Sequence, residues 1–255
     1  MATNELYSLI LAILTAGAPG VVGSFALMKK MSLAGDVVAH LALPGLGAAL
    51  LWKINPLVGA AATLLLGTLL IWQLEKRSSL QTDTSIGVIF TAALAVGALL
   101  TPKEELIEAL FGGFAKLSLF GFSLGVLGVF AIVATTLALR NRLILNIFSP
   151  ELAKSAGVSV HLTNLIYLLV FALTILLGLQ FLGAILVGAL IIVPAAIGRE
   201  LAKTFPQFLT ISAIAGALSV VLGYAISQIY GLDLGPVVVA VSAALFGITL
   251  FRKKS

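Results

Sequence analysis

The chain has 255 residues, of which 60% are hydrophobic and only 10% charged, and its mean hydropathy is +1.18. A soluble domain carries about 25% charged residues, so this composition excludes a soluble fold and reads as an all-α polytopic membrane protein. The net charge of +5 then reflects lysines and arginines retained on the cytoplasmic side rather than a nucleic-acid surface. With no cysteine in the chain, disulfides and thiolate metal sites are excluded.

A spanning helix needs about 20 apolar residues. On that basis spans fall near 6–28, 33–53, 56–74, 84–101, 118–139, 162–179, 181–198, 207–229 and 234–251. The total is nine, or eight if the short 179–181 connection is no turn. The first run follows Glu5 without a basic region before it, so it is expected to be a span rather than a cleaved leader. The runs are continuous rather than alternating, which argues against a barrel. The whole chain, 1–255, is expected to form one transmembrane domain, multi-pass in the cytoplasmic membrane.

Charge sets the orientation. If the C-terminus is inside, so are Lys29, Lys30, Lys76, Arg77, Arg140, Arg142, Lys154, Arg199, Lys203, Arg252, Lys253 and Lys254, and only Lys53, Lys103 and Lys116 stay outside. That asymmetry follows the positive-inside rule. Gly121 and Gly125, followed by Gly128, allow close helix approach without saying what the bundle carries.

The second span holds an aspartate and a histidine four residues apart, Asp36 and His40. Residues at i and i+4 share one helix face. Counting from Lys30 at about 1.5 Å per residue, Asp36 lies roughly 9 Å deep and His40 roughly 15 Å, near the midplane. Ionisable groups at that depth are costly and mark an ion or substrate path. Three readings fit: a site for zinc, manganese or ferrous iron, which imidazole and carboxylate both suit; a proton relay; or an Asp–His hydrogen bond serving packing alone.

The other acids fall elsewhere. Glu5, Glu104, Glu105, Glu108 and Asp233 lie on the outer side; Glu75, Asp83, Glu151 and Glu200 lie inside or at the inner boundary; His161 ends a cytoplasmic loop. One pair is too few for a closed metal site, which takes about four ligands, so a homodimer bringing two pairs together is one way to complete it. Pro44 after His40, and Pro194 in a later span, are expected to kink their helices near the path.

The longest cytoplasmic connection is 140–161. Within it Ser149 suits an N-cap, Pro150 the first helical position and Glu151 the positive end of the helix dipole, while Leu152 and Ala153 follow and Gly157 supplies the stop. A two-turn helix results, which either lies on the bilayer or the protein's own loops, or docks a cytoplasmic motor subunit. The string Gly198-Arg199-Glu200-Leu201-Ala202-Lys203-Thr204 lacks the second glycine of a Walker A loop. Any ATP hydrolysis therefore occurs on another polypeptide, and the chain itself is expected not to be an enzyme.

These residues resemble the permease subunits of ABC-3 type manganese, zinc and iron importers. Gly35-Asp36-Val37-Val38-Ala39-His40-Leu41-Ala42-Leu43-Pro44-Gly45 is similar to the family's Gly-Asp-x-x-(Ser/Ala)-His-x-x-x-Pro-Gly signature. Asp83 to Phe90 resembles its Asp-x-x-Ile-Gly-x-x-Phe element, and Leu110-Phe111-Gly112-Gly113 its Leu-Phe-Gly string. Pro150 to Gly157 resembles its Pro-Glu-x-Ala-x-x-x-Gly loop motif, and Gly183 through Pro194-Ala195-Ala196 its small-residue span. Ala39 stands where serine is common.

The resemblance implies an ABC importer permease of the type II, cobalamin-importer-like architecture. It implies a homodimer in the lipid bilayer, two cytoplasmic ATP-binding subunits, an extracytoplasmic metal-binding protein, and no nucleic acid. It also implies that Asp36 and His40 face the translocation path and that 149–157 is the coupling helix. The divalent metal is then transported substrate, with no permanently bound cofactor. Two rivals remain: a proton-coupled secondary metal transporter, and an ABC permease for an iron–siderophore or cobalamin-type ligand.

Overall fold

A computed structural model describes residues 3–31, 33–78, 81–100 and 119–252, and every regular element among them is a helix. The order is α1 (Thr3–Met28), α2 (Ala34–Ala39), a 3₁₀ turn (His40–Ala42), α3 (Leu43–Leu51), α4 (Pro56–Arg77), α5 (Thr82–Leu100), α6 (Leu119–Phe148), α7 (Pro150–Ser155), α8 (Val160–Leu201), α9 (Phe205–Tyr230) and α10 (Leu234–Arg252). Leu110-Phe111-Gly112-Gly113, Glu104, Glu105, Glu108, Lys103, Lys116, Lys253 and Lys254 lie outside the described residues.

Eight helical stretches among the described residues are long and apolar enough to cross a membrane. The ninth crossing is inside α8. Its 42 residues would extend about 63 Å if straight, twice a hydrocarbon core of about 30 Å. It is not straight. A side chain on Gly178 would run into Val187, two positions that a straight helix holds about 13 Å apart. Both ends of α8 also return to the end of α1: Val160 and Asn164 line one cavity with Met28 and Lys29, and Arg199 lines another with Met28. The chain therefore folds back between 178 and 187, and α8 makes two crossings, as expected from two separate spans.

The same two cavities gather the cytoplasmic ends. Lys29, Lys30, Glu75, Thr82, Asn146, Pro150 and Asn164 border the first, and Ile144, Phe148, Arg199, Lys203 and Thr204 the second. Segments that charge alone assigns to the inside thus share one face. α1 lies at the centre, packed on α6, α8 and α9. Gly125 of the glycine-rich stretch meets Leu11 of α1, and Gly128 meets Leu177 of α8. Ser24 donates to Ser212 across the α1–α9 contact at 3.0 Å.

The end of α6 differs most from the hydropathy reading. α6 continues through Arg140 and Arg142 to Phe148, so much of 140–161 is helix, because nothing before Ser149-Pro150 breaks it. Proline disfavours helix at the residue before it, and the helix stops there. The ends of α1 and α3 are closed by lysines in the left-handed region, Lys30 at φ 61° and Lys53 at φ 53°. In each, the following N–H reaches back five residues, Met31 to Ala26 at 2.9 Å and Ile54 to Ala49 at 2.8 Å, the Schellman arrangement usually closed by glycine.

Because the native chain has no cysteine, single cysteines report the topology directly. Lys53→Cys should react with a membrane-impermeant maleimide on intact cells, whereas Ser155→Cys and Lys203→Cys, which flank α8, should react only after permeabilisation. Labelling of the last two from opposite sides would show α8 crossing once.

Candidate functional site

Pro44 determines the local structure of the second span. It has no N–H, so the His40 carbonyl loses the donor an α-helix would supply four residues on. The Leu43 N–H takes that place three residues on, and the chain tightens into a 3₁₀ turn over His40–Ala42 before α3 resumes. The break thus begins at His40 itself, one turn ahead of the proline.

In this turn the His40 Nδ1 lies 2.8 Å from the Asp36 backbone carbonyl. A carbonyl only accepts, so Nδ1 carries the proton, and Nε2 keeps its lone pair for a metal ion or a further proton. The partner is the aspartate's carbonyl, not its carboxylate. Among the described residues the Asp36 carboxylate has no hydrogen-bond or ion-pair partner. Asp36 is exposed on a single copy and His40 half-buried.

Neighbouring helices hold the pair. Phe90 of α5 meets the His40 ring edge to face, with centroids 5.8 Å apart and planes at 82°. Behind Asp36 runs the second leg of α8. A Cβ on Gly188 would come within 2.8 Å of the Asp36 Cα, so only glycine lets the two backbones approach this closely. Beyond the break, Gly45 and Gly59 face each other across α3 and α4, and a side chain on either would strike the other's carbonyl. Pro44 itself abuts Gly97 of α5. Pro194 is buried against α9 near Gly216, so it does not join the pair, although Ile191, one turn earlier, packs against Gly35. No group of three or more His, Cys, Asp or Glu capable of holding a metal occurs among the described residues.

A second polar cluster closes the cytoplasmic end. Lys29, just past α1, donates to the Asn164 side-chain oxygen, and the Asn164 amide donates to Glu75, which also accepts from Thr82 at 2.7 Å. The Lys29 ammonium sits 5.1 Å from the Tyr167 ring centroid. Burial lowers the Lys29 ammonium to about 8, the charge of Glu75 opposing the shift. The cavity beside this cluster measures about 340 Å³ and reaches Pro150. Nearby, the Trp72 indole donates to the His161 carbonyl at 2.9 Å.

At that base stands α7, built as its residues dictate. Ser149 accepts from the Leu152 N–H at 3.3 Å, Pro150 starts the helix with Glu151 in its first turn, and Gly157 ends the segment at φ 74°. Ala153 is fully buried and anchors it, while Leu152 and Phe148 stand exposed at 61% and 74%.

Among the described residues, a bundle of membrane-crossing helices with a broken helix bearing Asp36 and His40 and a short capped helix at one end defines a multi-pass membrane protein. The chain belongs to the ABC 3 transport family, whose sequence profile matches residues 4–253. It is 30% identical over 255 residues to the high-affinity zinc uptake system membrane protein ZnuB of Haemophilus influenzae, covering 98% of this chain and 96% of that one. It is 32% identical to the manganese import system permease protein ScaB of Streptococcus parasanguinis, covering 96% and 89%. Among solved structures, PsaBC from Streptococcus pneumoniae in complex with Fab superposes with a TM-score of 0.82 at 27% identity, covering 97% and 91%. An inward-facing putative metal-chelate type ABC transporter, at 19% identity and a TM-score of 0.76, shares the fold over 97% of this chain and 85% of its own.

Sequence reasoning singles out Asp36, His40 and the residues of α7, but not Phe90, Gly188 or the Lys29–Asn164–Glu75 cluster that pack around them. The pair and the cap are local patterns. The missed contacts join distant parts of the chain, and the only hint was a lysine set hard against the end of a span.

The lowered Lys29 value has a definite sign. An unfolded lysine keeps its proton up to about 10.5 and the folded one releases it near 8, so stability rises with pH across that window. The melting temperature of the detergent-solubilised chain should climb between pH 8 and 10 by more than that of Lys29→Met. Equal slopes would mean that Lys29 is not desolvated.

Proposed function

We propose that two copies of this chain form the membrane path of an ATP-driven importer for a divalent transition metal, manganese, zinc or iron, with Asp36 and His40 of each copy lining its constriction. The observation that carries the reading is the break at His40, where the ring is fixed by the Asp36 carbonyl and leaves Nε2 available beside an unpaired carboxylate. Imidazole and carboxylate suit these ions, and a pair without further ligands suits a path, because an ion must leave as well as enter. Relatives named for zinc and manganese uptake support the class of cargo.

The homodimer is supported by exposure. A carboxylate at the bilayer centre costs about 2.5–3.5 kcal/mol on insertion scales, a ceiling for Asp36 at roughly 9 Å depth, and Asp36 is exposed on a single copy. A second copy meeting the first at this face shelters it, encloses a path and doubles the ligands. α7 is the coupling helix in this reading, with Leu152 and Phe148 offered to a separate ATP-binding subunit, and an extracytoplasmic protein delivers the metal. ATP-driven rearrangement of the cytoplasmic ends then opens the path alternately to each side.

In a reconstituted complex with the ATP-binding subunit and the binding protein, metal should stimulate ATP hydrolysis. Asp36→Ala and His40→Ala should each reduce that stimulation to the basal rate while the complex still assembles. Both variants transporting normally would remove the assignment, and metal uptake by the chain alone on a proton gradient would favour a secondary transporter.

Leu152→Asp tests the coupling surface. It should weaken association with the ATP-binding subunit by roughly tenfold or more, as loss of a central apolar anchor does, without altering membrane insertion. Unchanged association would place the docking surface elsewhere.

A further inference from the structure

A groove of about 440 Å³ runs along the outside of the bundle between α6 and the first leg of α8. On α6 it is lined by Leu124, Gly128, Ala131 and Thr135, a four–three–four spacing that keeps one face of a helix. Leu173 and Leu177 form the opposite wall. The two helices touch where Gly128 meets Leu177.

Followed towards the cytoplasm, the same face of α6 arrives at Arg142, seven residues and roughly 10 Å beyond Thr135. Arg142 is exposed and has no ion-pair partner among the described residues. Neither α6 nor the first leg of α8 carries an acid. An apolar slot whose helix face continues, roughly 10 Å on, to an unpaired guanidinium is complementary to one kind of molecule: a lipid with an apolar tail and an anionic head. Anionic lipids give the cytoplasmic leaflet its negative potential, and guanidinium binds phosphate through paired donors.

A second copy of the chain is the other candidate occupant, and the packing disfavours it. α6 packs on α1, α7 and α8 and makes no substantial contact with α2, α3, α4 or α5 among the described residues. A dimer that meets at Asp36 and His40 leaves α6 facing lipid.

We propose that this groove holds one acyl chain of an inner-leaflet anionic phospholipid whose phosphate rests on Arg142. The test is native mass spectrometry of the full chain, solubilised in detergent and supplied with equal amounts of phosphatidylglycerol and phosphatidylcholine. The wild-type chain should retain phosphatidylglycerol preferentially. Arg142→Gln should cut that preference by about fivefold, the order of one basic residue's attraction to an anionic surface, while Arg140→Gln, off the groove face, should leave it intact. Ala131→Phe should fill the slot and reduce retention of both lipids. Equal retention of the two lipids by the wild-type chain, or an Arg142→Gln variant indistinguishable from it, overturns the proposal. So does an Ala131→Cys variant that crosslinks to a second copy through the groove.

Discussion

Inside a bilayer there is no water to satisfy a backbone group, so each N–H and C=O must find its partner within the protein. Pro44 removes one donor in the middle of a crossing, and the structure around it is the response. The His40 carbonyl is served from Leu43 in a tighter turn, the break is clamped where Gly45 meets Gly59, and Asp36 is backed by the glycine at 188. The altered turn carries an imidazole with one nitrogen committed to a backbone carbonyl and the other available. A metal ligand requires that separation of roles, since the bonded nitrogen fixes the tautomer and ring orientation.

The rest of the bundle provides rigidity on one side of this turn and a link to the cytoplasm on the other. α8 is that link. Its first leg begins five residues after the capped helix α7 ends and enters the Lys29–Asn164–Glu75 cluster. Its second leg supplies Gly188 and Ile191 against α2. In the proposed cycle a displacement of α7 is therefore passed across a four-residue connection to α8, whose second leg, beyond the fold-back, seats Asp36. The polar cluster is small, but leaving Glu75 or Lys29 without the other would strand a desolvated charge, which is strongly destabilising.

What the sequence made legible was everything encoded within a few turns. Apolar run length placed the crossings, including the two legs of α8. Basic residues placed the inner face, and Ser149, Pro150 and Gly157 specified a cap, a start and a stop that the structure reproduces. Asp36 and His40 were conspicuous because polar residues are costly where they stand. Contacts between helices were not legible. Lys29 and Asn164 lie 135 positions apart, and among many apolar positions nothing marks Phe90 as the one that meets His40. The extension of α6 to Phe148 was missed for a related reason: hydropathy reports where lipid ends, whereas a helix ends where its backbone is broken.

The central claim is that the nitrogen left available on His40 binds the transported ion. The chain has only two histidines, and the other, His161, stands at the cytoplasmic start of α8. X-ray absorption at the zinc edge of the purified zinc-loaded permease tests the claim directly. The account predicts imidazole scattering with a nitrogen at about 2.0–2.1 Å that disappears in His40→Ala and persists in His161→Ala. Imidazole scattering that survives His40→Ala would contradict it.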